Sequence, residues 1–408
     1  MSSLDAKRSK PDDNPTRENW HLVSERKRQL IIAVSKGDVE MAKAYLRKED
    51  LGEPCALYEG MHFLMVACQN KTTTVYGMLE WLVKHPDDLM TLRDENGLTP
   101  LMYGAYHHNI EAMKAWIKLF PFSIIQQSFS GSSAMTYAAA SGFLEGFKLL
   151  RNHLANPDDP GANGATPLLL VCAHDKNIEM VKYILSECSV DVDKPDHDGR
   201  APIHAVAKNG NLEILELLLN KGVNVNSITR ESVSPLMIAT TFGHRRMVQY
   251  LLREFSDTEL SNRQGKTALA LAAEYGETKI LKDLLNAGAN PSPLSMEEGS
   301  PLIMAAQEGH LGCIKLIASS SGVDVRRRDK RGRSAFDMAA ARGNYAVLRY
   351  LVQKGAKGNT PEQKANWAET VNLMEDTGRS LEQIAAARGE KLKEDDEEAV
   401  EKGTAATS

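Results

Sequence analysis

Apolar and polar positions along this chain recur on a period of 33 to 35 residues over most of its length. A short triplet, Thr99-Pro100-Leu101, marks the register. Matching triplets begin at Ser133, Thr166, Ala201, Ser234, Thr267, Ser300 and Ser334, at steps of 34, 33, 35, 33, 33, 33 and 34. Two weaker copies begin at Arg28 and Met61, with steps of 33 and 38, which predicts about ten copies from Arg28 to Gly358. Two residues after each anchor stands a large apolar residue, such as Leu101, Ile203, Leu269 or Phe336. Five and six residues after it comes a compact pair, such as Ala138-Ala139 or Ala305-Ala306. Side chains this small let neighbouring helices approach closely. A second apolar run follows, as in Leu212 to Leu219, with the spacing of an amphipathic helix. Pro at the second anchor position (Pro100, Pro167, Pro202, Pro235, Pro301) suits a first helical turn, where no donor is lost. Nine residues after the anchor sits Gly37, Gly142, Gly210, Gly243, Gly276, Gly309 or Gly343, as expected where a helix ends in a left-handed residue. Asn70, His108 and Asp175 replace it elsewhere. Each copy therefore reads as helix, turn, helix and loop.

Units of this size cannot bury an apolar face alone, and stacked neighbours supply the core. The residues now on the page resemble the ankyrin repeat family, with its pattern D-x-x-G-x-T-P-L-H-x-A-A-x-x-G-H. Asp94 to Leu101, Asp196 to His204 and Asn262 to Leu269 carry the likeness, although His fills the TPLH position only at His204. The resemblance implies an all-α repeat fold, an ankyrin-repeat solenoid of helix-turn-helix units with β-turn fingers. It also implies that binding falls on the finger residues and on the two residues before each turn, around a concave groove.

The organisation expected is a disordered polar arm over 1–23, the solenoid over 24–358, a C-terminal helical cap over 359–389 and an acidic disordered tail over 390–408. Thr360 to Gln363 and Ser380 to Gln383 read as capping boxes. Trp367, Val371 and Met374 share one helical face, which either covers the last repeat or docks a partner. The tail sets seven acidic residues against three lysines.

Composition narrows the function. Apolar residues make up 42% and charged residues 25% of the 408, which is the globular range. A net charge of −5 excludes bulk attraction to polyanions. The five cysteines form no CxxC, so reduced thiols are expected, and the polar N-terminus shows no secretory pattern. No window of 18 apolar residues occurs, so no transmembrane segment is expected. These readings point to a cytoplasmic chain, with the nucleus as the alternative compartment, that is monomeric alone.

The sequence holds no P-loop, GxGxxG, GxSxG or HExxH, and no enzyme, cofactor, metal or small-molecule substrate is expected. Adjacent His107 and His108 cannot share a ligand position on one helix. His204 reads as a local hydrogen-bonding residue, Cys172 as a core thiol and Trp116 as core. The candidate partner-binding residues are Tyr106, His107, Phe242, Tyr275 and Arg342 before the turns, and Arg230, Arg263, Lys266, Lys330, Arg331 and Arg333 on the fingers. The aromatics either anchor an interface or pack on the next finger. From Arg326 to Arg333, six of eight residues are basic. They read as a contact for an acidic segment or phosphate, as an import signal, or as a solvated finger neutralised by the chain's own tail. Nucleic acid is not the expected partner, because no aromatics are interleaved with the arginines. The leading expectation is a non-enzymatic scaffold or adaptor for a partner protein. The alternatives are an assembly chaperone or regulatory subunit, and a polyanion binder through 326–333.

Overall fold

A computed structural model of the chain describes residues 25–36, 38–45, 65, 68, 92–174, 177–293 and 299–355. The expected arm, most of the second copy, the turns at Gly37, Asn70 and Asp175, the C-terminal cap and the acidic tail lie outside the described residues. The chain divides into two compact units, Met1–His197 and Asp198–Ser408.

In the first unit the helices are α1 (Glu25–Lys36), α2 (Val39–Tyr45), α3 (Pro100–Tyr106), α4 (Ile110–Leu119), α5 (Ala134–Ser141), α6 (Leu144–Asn152), α7 (Pro167–Cys172) and α8 (Ile178–Glu187). Short 3-10 turns occupy Pro121–Ile125 and Ala162–Gly164. The second unit holds α9 (Pro202–Asn209), α10 (Leu212–Leu219), α11 (Pro235–Thr241), α12 (Arg245–Arg253), α13 (Ala268–Glu274), α14 (Thr278–Asn286), α15 (Pro301–Glu308), α16 (Leu311–Ser319), α17 (Ala335–Ala341) and α18 (Tyr345–Gln353). Successive helices pack in pairs, and first helices pack on first helices of the adjacent repeat, as α15 does on α17. The architecture is an all-α repeat solenoid. The fingers are closed by isolated antiparallel bridges, Gln127 with Ser133, Ser261 with Thr267 and Arg328 with Ser334.

The anchor residue proves to be the helix N-cap. The hydroxyls of Thr99, Thr166, Ser234, Thr267 and Ser334 accept from the amide three residues on. Such a cap is worth about 0.5–2 kcal/mol over alanine. Ala201 lacks a hydroxyl, and there the ring of His204 reaches back to the anchor's own amide. Its Nδ1 accepts from the Ala201 amide at 3.1 Å and its Nε2 donates to the Ser227 carbonyl at 3.2 Å. The core runs through the small pairs and the inner face of the second helices. Ala272, Ala273, Ile280, Leu281 and Leu284 are buried, as are Trp116 and Cys172.

Neighbouring repeats are interlocked by polar side chains at the start of the second helices. His244 Nε2 donates to the Lys208 carbonyl at 2.8 Å, and His310 Nε2 to the Glu274 carbonyl at 3.0 Å. Asn344 donates to the Ala306 and Gln307 carbonyls at 2.9 and 3.1 Å. Each bond satisfies a carbonyl left without a partner at the end of the preceding repeat's first helix.

Candidate functional site

The fingers are built on buried acceptors. Asp94 Oδ1 accepts from the amides of Asn96 and Leu98 at 2.9 and 2.7 Å, while Tyr103 donates to its Oδ2 at 2.9 Å. Asn262 and Asp329 hold their own fingers in the same way. Fingers are also stitched to one another: the Phe129 amide donates to the Asn96 carbonyl, Arg230 to Asp198 and Arg263 to Glu231. A finger is thus a rigid platform whose outward side chains are free to vary.

Within the first unit, Tyr106 and His107 close helix α3. Tyr106 is 53% exposed and meets Tyr137 edge-on, with ring centroids 6.3 Å apart. His107 stacks on Tyr103 at 6.1 Å. Burial, and then the neighbouring His108, hold its imidazole below the ordinary pKa. His108 takes the turn position with φ +61, and its Nε2 donates to the Ser141 carbonyl at 3.0 Å. The adjacent histidines therefore do different structural jobs.

In the second unit Phe242 and Tyr275 occupy the same position in adjacent repeats, at the ends of α11 and α13. They are 51% and 52% exposed. Lys208 Nζ lies 5.7 Å from the Phe242 ring centroid, a cation–π contact that sequence reading missed. A basic residue in the preceding pre-turn pair was the available signal. Arg342 is exposed at the end of α17, and Arg230 is exposed on its finger.

Three of the finger candidates are engaged within the protein. Lys266 is only 5% exposed, and its Nζ meets both carboxylate oxygens of Glu274 at 3.0 and 2.9 Å. This corrects the expectation that finger residues escape packing, because Lys266 is buried and its charge needs a partner. Arg333 is bound to Asp329, with Nε to Oδ2 at 2.8 Å. Arg263 pairs with Glu231 at 2.9 Å on the surface. Lys330 and Arg331 are exposed, with no side-chain ion pair or hydrogen bond among the described residues.

The thiols offer little chemistry. Burial pushes Cys68 up to about 12 and raises Cys172 and Cys313 as well. Among the described residues no group of three His, Cys, Asp or Glu could hold a metal ion. Nor is any helix among them long and apolar enough to cross a membrane.

Comparison with known proteins agrees with the repeat. A family model described as ankyrin repeats in three copies matches residues 30–118, 74–159, 135–229 and 203–295, and another, ankyrin repeats in many copies, matches 302–352. A putative ankyrin repeat protein of Rickettsia felis is 31% identical over 98 residues, 24% of this chain and 32% of that protein. The ankyrin repeat protein OPG189 of variola virus is 30% identical over 92 residues, 22% of this chain and 16% of that protein. The matched segments thus span a third or less of those relatives. The human ASB11 ankyrin repeat domain aligns with a TM-score of 0.49 at 25% identity, covering 56% of this chain and 100% of that one. The family models cover well over half of the sequence, and the chain belongs to the ankyrin repeat family, whose repeats form a protein–protein interaction domain.

Proposed function

We propose that the chain is a non-enzymatic adaptor that captures a partner protein on the pre-turn ends of its first helices and the neighbouring fingers. The observation that carries this reading is the pair Phe242 and Tyr275. Both are large, half-exposed aromatics at equivalent positions of adjacent repeats, held on caps whose backbone is fixed by the repeat itself. Aromatic side chains on a rigid surface are efficient interface anchors, because little conformational freedom remains to be lost on binding. Lys208, stacked over Phe242, adds a cation at the edge of the apolar contact. Tyr106 and His107 supply an equivalent aromatic surface in the first unit. An assembly factor would use the same surface, and only the partner's identity would distinguish it from an adaptor. Polyanion binding gains little support, since only Lys330 and Arg331 of the basic stretch project without a partner among the described residues.

The test is affinity capture with the wild-type chain and with a Phe242→Ala/Tyr275→Ala variant, scored by quantitative mass spectrometry. The expected result is a stoichiometric protein whose recovery falls about tenfold or more in the variant, the loss expected of interface anchors. Thermal stability should fall only modestly, because both side chains are half-exposed. Equal recovery of every captured protein would overturn the assignment of this surface.

A further inference from the structure

We propose that the basic face of the last described repeat, presented by Lys330 and Arg331, is the docking surface for the chain's own acidic segment, residues 390–401.

The charge distribution is the first observation. Residues 300–355 carry ten Lys and Arg against four Asp and Glu, in a chain whose net charge is −5. The preceding stretch, 267–299, has the opposite balance, two basic against five acidic. The last two described repeats therefore concentrate positive charge in a chain that is acidic overall. The complementary charge is concentrated as well. Glu394, Asp395, Asp396, Glu397 and Glu398 form an unbroken acidic run.

The second observation is how the finger sorts its cations. Arg326 Nε donates to the Gly355 carbonyl at 3.0 Å. Arg327 Nη1 donates to the Ser292 carbonyl and hydroxyl at 2.9 and 2.7 Å. Arg328 donates to the Gly332 carbonyl and lies 3.5 Å from Asp337. Arg333 is paired with Asp329. These four fix the finger. The Asp329 carboxylate also takes the Arg331 and Arg333 amides at 2.9 and 2.8 Å, which sets the turn rigidly. Lys330 and Arg331 are the two cations left at its tip, both exposed.

The third observation is chain order. The last described residue, Gly355, is the one whose carbonyl Arg326 holds, so the chain leaves the repeat at the base of this finger. Lys330 is four residues from Arg326, within about 14 Å even if fully extended. Thirty-eight residues separate Gly355 from Glu394, a tether that reaches up to about 130 Å when extended. Exposed ion pairs are individually weak, but attachment to the same chain raises the local concentration of the acidic run. An acidic peptide in trans would have to compete with it. The contact is screened by salt.

The test uses the full chain and a zero-length carbodiimide, which joins an amine to a carboxylate already in contact. At about 20 mM salt, amide links are expected between Lys330 and carboxylates of 394–398, and they should vanish near 500 mM, where screening is strong. In an equal mixture of light and heavy-nitrogen protein the links should join peptides of the same isotope. Acetylation of Lys330 should accelerate at least about twofold when Glu394→Gln, Asp395→Asn, Asp396→Asn, Glu397→Gln and Glu398→Gln are combined, because the tethered competitor is lost. High salt should do the same to the wild-type chain, so the result does not depend on the variant alone. Links between isotopes would assign the surface to a second copy. Protection of Lys330 removed by nuclease and not by tail neutralisation would assign it to nucleic acid. Either result, or an acetylation rate indifferent to both salt and tail charge, overturns the proposal.

Discussion

Replacing Gly276 by Ala tests the interlock between repeats. Gly276 has φ +75, where an alanine costs about 1–2 kcal/mol. A Cβ there would also stand 2.6 Å from His310 Nδ1 and 2.7 Å from its Cε1. The imidazole would have to shift, and its 3.0 Å hydrogen bond to the Glu274 carbonyl would be lost or stretched. That bond is worth about 0.5–1.5 kcal/mol. The two contributions together give about 1.5–3.5 kcal/mol. Gly288 supplies the control, because it has φ +91 and nothing within 4 Å of its virtual Cβ. Gly288→Ala should therefore show the backbone cost alone. The assay is urea unfolding followed by circular dichroism, with native-state hydrogen exchange to localise the loss, since repeat arrays need not unfold in one step. Gly276→Ala should reduce protection in α13 and α16 in particular. In a His310→Ala background the same substitution should cost no more than Gly288→Ala, giving a coupling of about 0.5 kcal/mol or more in the double-mutant cycle. Equal effects of the two glycine changes, with no coupling to His310, would refute the interlock.

Three further outcomes follow from the site. His107 is held below its ordinary pKa by burial, so the unfolded chain takes up a proton at higher pH than the folded one. Its stability contribution is present above about pH 6.5 and is lost as pH falls below that value toward the lowered folded pKa; urea midpoints should drop in this window, and His107→Gln should flatten the slope. Lys266→Met should lower stability by about 1.5–3 kcal/mol by leaving the Glu274 carboxylate without its cation, whereas Arg263→Ala, which breaks a surface pair, should stay within about 1 kcal/mol in the same unfolding assay. Of Cys68, Cys172, Cys188 and Cys313, only Cys188 is not fully buried, so a maleimide followed by peptide mass mapping should label it in the native protein ahead of Cys68, Cys172 and Cys313, which should react only on unfolding.

The repeat was legible because every copy restates it. A single Thr-Pro-Leu would mean little, but eight matching triplets fix where each helix starts, and the N-cap hydroxyls give the physical reason for the first residue. The turn glycines were legible because few residues adopt their backbone conformation, and His108 confirms the rule by adopting it with φ +61. The half-exposed state of Tyr106, Phe242 and Tyr275 also followed from the repeat register. Lys266 did not, because its partner Glu274 stands eight residues on, beyond any i to i+4 rule for reading ion pairs. The arginines of 326–333 read as one basic patch, yet four of them are structural, and only the folded finger reveals which carbonyls they reach. The interlocks were hidden for a similar reason: His310 meets a carbonyl 36 residues earlier, a pairing that exists only once two helix pairs are stacked.

A physical division of labour explains where specificity can reside. At the interlock positions chemistry matters more than identity, since both imidazole and carboxamide donate an N–H to the preceding repeat, as His244, His310 and Asn344 do. At the anchor, Ser and Thr are interchangeable as caps, and at Ala201, which has no hydroxyl, an imidazole three residues on satisfies the anchor amide instead. Positions that hold the stack thus accept several residues of equivalent hydrogen-bonding capacity. The pre-turn ends and finger tips face no such demand, because their backbone is already satisfied by the repeat. Phe242 meets Lys208 of the preceding repeat with part of its ring, yet it is still about half exposed and leaves apolar area in water. Phe242 and Tyr275 carry that cost in adjacent repeats on a rigid frame, which is the arrangement a partner with matching apolar pockets would use.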